Sequence, residues 1–157
     1  MKWRISMGVA VILPTLSLFV FVPQMAGQQP KARVADGVEL TVQVTDVKHT
    51  DGELLIGVFN SEDGFPPEIQ KALVSAKIKP ESPMHTFENL PQGNYAVVVI
   101  HDRNKSGQLD RNLLGMPKEP VGLSNYQSIG LSNLPTFRKA SFELKESGLL
   151  KVKLHPF

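Results

Sequence analysis

Oxygen-bearing side chains alternate along one short stretch of this chain: Asp102, Asn104, Ser106 and Asp110, with Gly107 and Gln108 between the last two. That spacing matches positions 1, 3, 5 and 9 of a Ca²⁺ loop, with glycine at position 6 and apolar Leu109 at position 8. Alternate residues of a tightly curled loop turn their oxygens inward, and Gly107 permits the bend that brings Asp110 back. Gln108 would add its backbone carbonyl. Position 12, where a helix-flanked loop carries a bidentate glutamate, is Leu113, so another carboxylate is required, and Glu119 is the candidate. The expected metal set is therefore Asp102, Asn104, Ser106, Gln108, Asp110 and Glu119, with Ca²⁺ as the ion. Arg103 and Lys105 reduce the charge available to it. A metal-free reading stands beside this one, because Asp, Asn, Ser and Gly also form turns that bond their own backbone.

Other chemistries find less material. There is no cysteine, so disulfides, thiol nucleophiles and thiolate zinc sites are excluded. His49, His101, His85 and His155 are scattered without metal-ligand spacing. A hydrolase of envelope material using Asp102, Glu119 and His101 is the alternative to a non-enzymatic module. Neighbours on a strand, however, point to opposite faces, and no G-x-S-x-G elbow accompanies Ser106.

The loop follows the most apolar run of the chain, Tyr95 to Ile100, which reads as a central strand buried on both faces. Val38, Leu40, Val42 and Val44 alternate with polar residues as a half-buried strand. Asp51-Gly52 suggests a hairpin joining it to a second strand over residues 53 to 60, where Gly57 marks a bulge or close packing. Pro66-Pro67 followed by Ile69, Ala72, Leu73 and Ala76 predicts one short helix. Further strands are expected at 84 to 88, 137 to 144 and 149 to 155. Residues 102 to 136 lack periodicity and form a long loop, the segment where function is expected. The fold class is all-β, a single antiparallel β-sandwich with one short helix.

Basic Lys2 and Arg4 precede an apolar run from Ile5 to Val22, the pattern of a secretory signal; an uncleaved membrane anchor is the alternative at roughly 18 residues. Residues 1–26 thus read as signal or anchor helix, 27–37 as linker and 38–157 as the domain. The protein is expected outside the cytoplasm: periplasmic, extracellular, or held by residues 5–22, its one contact with the membrane. Seventeen basic residues less Lys2 and Arg4 leave fifteen, against fifteen acidic ones, so the chain without residues 1–26 carries no net charge. Without a basic patch interleaved with aromatics, no nucleic-acid partner is expected. The partner class expected is a protein or glycan of the cell envelope.

The segments GVFNSEDGFP (57 to 66), FENLPQGNYAV (87 to 97), HDRNKSGQLDRNLLGMPKEPVGLSN (101 to 125) and PTFRKASFEL (135 to 144) together resemble the exported bacterial family DUF2141, over about residues 38 to 154. The resemblance implies a transthyretin- or prealbumin-like sandwich and an acidic loop carried by Asp102, Asn104, Gly107 and Asp110. It implies no activity. The chain departs from the family pattern at Ser106, where Asn or Asp is usual, and at Leu123, where Phe is usual.

Overall fold

The structure is a computed structural model that describes residues 37–130 and 133–156. The signal or anchor helix and most of the linker expected for residues 1–37 lie outside the described residues. Two sheets share one core. The first has the order β4 (Met84–Leu90), β1 (Val38–Thr45), β8 (Gly148–Lys153). The second has the order β3 (Val74–Ile78), β2 (Glu53–Phe59), β5 (Gly93–Asp102), β6 (Val121–Leu123). A short β7 (Phe142–Leu144) pairs with β5 over Gly93 to Tyr95, and β6 pairs with it over Val98 to Ile100. The architecture is all-β, as the sequence pattern requires.

Strand β1 turns Leu40, Val42 and Val44 onto Leu54, Ile56, Val58, Val97 and Val99 of the facing sheet. The alternate residues of β2 and β5, Leu55, Ala96, Val98 and Ile100, enter a second core on the outer side of that sheet. Ile69, Leu123, Tyr126 and Ala140 cover them. Burial on both faces explains why Tyr95 to Ile100 is apolar without alternation. β5 is thus the central strand that its composition predicts.

Several expectations are corrected. The helix expected from Pro66 to Ala76 is a 3-10 turn at Ile69–Lys71 followed by β3. Ala76 lies opposite Ile56 in a regular antiparallel register, and Leu73, expected on the apolar face, is 45% exposed. The open edge of β2 satisfies the backbone of this segment, which overrides a weak helical spacing. Strands β1 and β2 do not form a hairpin either: they lie in different sheets. β2 is apolar on both faces and belongs beside β5, whereas β1 has one wet face.

The stretch from Phe137 to Leu144 divides into a helical turn, α1 (Phe137–Ala140), and β7. Thr136 caps the turn by accepting from Lys139 N at 3.3 Å. The sheets are not wholly antiparallel, because β8 pairs parallel to β1. The long segment after Asp102 contains β6. Gly57 reflects close packing rather than a bulge: its register is continuous, and an added Cβ would lie 3.0 Å from Ile69 Cδ1.

Candidate functional site

The loop begins where β5 stops. Asp102, its last residue, pairs with Glu53, and a Cβ on neighbouring Gly52 would lie 2.2 Å from the Asp102 carbonyl oxygen. Only glycine, at φ +81°, lets the β2 turn approach so closely. The Asp102 carboxylate is fully buried and accepts from two backbone amides, Ser106 N at 3.0 Å and Gly107 N at 2.7 Å. Lys105 and Gly107 take positive φ, curling the chain around that carboxylate.

The remaining expected residues close the same loop. Asn104 Oδ1 accepts from Ser106 N, and its amide donates to Asp110 Oδ2 at 2.6 Å. Ser106 Oγ donates to the Gln108 carbonyl at 3.0 Å. Glu119 returns from nine residues further on: its carboxylate accepts from Arg103 N at 3.3 Å and Asp110 N at 3.1 Å, and it is buried. Burial pushes the Glu119 carboxyl above the usual carboxylate range. The nearby charges of Asp102 and Asp110 act in the same direction, against the two amide hydrogen bonds.

Asp102, Asn104, Ser106, Asp110 and Glu119 are therefore joined by hydrogen bonds within one loop, and Gln108 contributes its carbonyl as an internal acceptor. The oxygens serve the loop's own donors, the arrangement of a structured turn. Among the described residues, no three His, Asp or Glu side chains converge into one ligand cluster.

His101 stands apart from this loop. It is buried, its Nε2 lies 2.8 Å from the Asp51 carbonyl, and it faces a small cleft of ≈ 60 Å³ with Asp46, His49 and Leu154. Asp102 points from the other face of β5, so the two do not form a catalytic dyad. Asp51 instead meets Arg103, whose Nε donates to it at 2.8 Å and holds its carboxyl below the usual range.

Sequence reasoning passed over the turn that follows. Asn112 Oδ1 accepts from Leu114 N and Met116 N, Asn112 N donates to the Met116 carbonyl, and Arg111 Nη1 donates to the Gly115 carbonyl at 2.7 Å. These bonds fix the turn and leave Leu113 and Leu114 in water, 106% and 87% exposed. Two adjacent leucines in an otherwise polar stretch were the available signal; a loop pattern that tests position 12 only for a carboxylate ignores it.

A segment built in this way can hold a rigid apolar projection on a polar base. A family model described as "Uncharacterized protein conserved in bacteria (DUF2141)" matches residues 42–150. No curated protein and no solved structure matches the chain.

Proposed function

The chain belongs to the DUF2141 family of bacterial proteins, and from that premise we propose that it is a non-enzymatic module of the cell envelope whose 102 to 136 segment engages a protein or glycan partner. Export rests on the basic and apolar pattern of residues 1–26, with the domain periplasmic, extracellular, or held at the membrane by residues 5–22. A transthyretin-like sandwich is the scaffold implied by the family resemblance, and two sheets around a shared core are consistent with it.

The observation that carries the reading is the pair Leu113 and Leu114. Apolar side chains held in water by a pinned turn gain free energy only when something covers them. The engagement of His101 by a backbone carbonyl speaks for binding over hydrolysis.

Ca²⁺ is proposed to order the segment through Asp102, Asn104, Ser106, the Gln108 carbonyl, Asp110 and Glu119. Asp102 and Asp110 repel the Glu119 carboxylate, an effect secondary to its burial, and a divalent cation would relieve that repulsion once the three side chains drew together around it. Asn104 would have to release Asp110 to admit it.

The test is site-specific photo-cross-linking in a bacterium that exports the full chain, with the cross-linker at position 113 and, as control, at exposed position 149 on β8. A discrete adduct at 113 that is absent at 149 and diminished by chelator is the expected result. No adduct at 113, or equal labelling at both positions, would overturn the proposal.

A further inference from the structure

Beneath the leucine turn lies a cleft of ≈ 280 Å³. Its floor is Val98 of β5 and Val121 of β6, from the outer face of the second sheet. Leu109, Met116 and Pro117 form one wall, and Ile129, Leu134 and Pro135 the other. Both walls are pinned: the first by Asn112, the second by Tyr126, whose hydroxyl donates to the Leu134 carbonyl and accepts from Thr136 N. Arg111 is the one charged residue in the lining among the described residues. Its bond to the Gly115 carbonyl anchors the guanidinium and leaves further N–H donors free of that contact.

We propose that this cleft binds a single-chain anionic amphiphile, the alkyl chain lying on Val98 and Val121 and the acidic head on Arg111. The lining selects the chemistry. Apolar walls with a lone guanidinium favour a ligand with one anion and an otherwise apolar body, and a planar guanidinium suits a carboxylate bidentately. The volume lies near the lower end of small-molecule sites, roughly 300 Å³, which suits one short chain and is too small for a two-chain lipid. Met116, unbranched and adaptable, adjusts the wall to chain length. None of these lining residues is one of the Ca²⁺ ligands proposed above or one of the two exposed leucines.

Octanoate, 1-octanol and acetate are the probes, titrated below micelle-forming concentrations into the methyl-labelled full chain as the expressing cell exports it, and followed by NMR. Octanoate should shift the methyl signals of Val98, Val121, Ile129 and Leu134 saturably, octanol should do so more weakly, and acetate should not. Arg111→Ala should weaken octanoate at least tenfold and leave octanol unchanged, with methyl signals outside the cleft unmoved. Met116→Glu, on a half-exposed position, should abolish octanoate binding should Arg111→Ala fail to fold. Unsaturable shifts, shifts elsewhere, or equal octanoate affinity in Arg111→Ala would overturn the proposal. Shifts produced by phosphatidylglycerol vesicles and not by octanoate would assign the cleft to a bilayer surface and overturn it equally.

Discussion

Replacing Asp102 with alanine removes a buried carboxylate that accepts from two amides. Ser106 N keeps a second acceptor in Asn104 Oδ1, so its loss is partial, whereas Gly107 N has its bond only to Asp102 among the described contacts. Hydrogen bonds to charged groups contribute about 1.5–3 kcal/mol each, so one full and one partial loss cost about 2–4 kcal/mol. Relief of the repulsion on Glu119 offsets a small part.

Against a domain stability of about 5–15 kcal/mol, the variant stays folded and melts roughly 10 °C lower. The assay is urea unfolding of wild type, Asp102→Ala and Asp102→Asn in EDTA, repeated in millimolar Ca²⁺. Asparagine keeps one acceptor and should recover about half of the loss. With Ca²⁺ at about 100 times its dissociation constant, wild type should gain about 2.7 kcal/mol and the alanine variant nothing. A variant within about 0.5 kcal/mol of wild type in EDTA, the ordinary effect of surface substitutions, would refute the view that this carboxylate organises the loop. An unchanged gap on adding Ca²⁺ would remove the ion from the proposal.

Two further outcomes follow from single residues. Because the folded-state pKa of Glu119 lies above its ordinary value of 4.5, its contribution to stability is fully present below that value and is lost as pH rises through the folded pKa. In chelator, wild type should therefore gain stability relative to Glu119→Gln as pH falls from about 7.5 to about 4.5; a flat difference, or the opposite slope, would contradict the burial argument. Gly122→Ala should cost about 1–3 kcal/mol in urea unfolding, since its Cβ would sit 2.6 Å from the Lys153 carbonyl oxygen and 2.8 Å from Val152 Cγ1, and wild-type stability would show that β6 and β8 are not in close contact.

The sequence was most informative where burial and pattern agree. Tyr95 to Ile100 could be recognised as a central strand because nothing but double-sided burial accounts for so continuous an apolar run. The Asp102 to Asp110 loop was legible because tight curling demands its particular residues in order, and the Glu119 carboxylate meets that loop at Asp110 N. β3 was misread because Ile69, Ala72, Leu73 and Ala76 satisfy a helical spacing while Val74, Ala76 and Ile78 satisfy a strand spacing. Only the vacant edge of β2 decides between them.

The Asp51-Gly52 turn was real, but its partner was not β1, since turn chemistry reports a reversal and not which sheet receives the returning strand. β6 is three residues long, below the length at which alternation can be seen. The cleft was invisible for a different reason. Its floor, two walls and cation come from four separate stretches of chain, each of which alone resembles ordinary core or turn.

The pairing of β8 with β1 also constrains the order of events during folding. Leu40 lies beside Gly148, 108 residues later, so the first strand of the domain acquires one of its two edge partners only when the last strand arrives. Contacts of such sequence separation close slowly, because chain entropy is spent before they form. The second sheet and the pairing of β1 with β4 need no residue beyond β7, so β8 is the latch that completes the first sheet after the rest of the described domain has its partners.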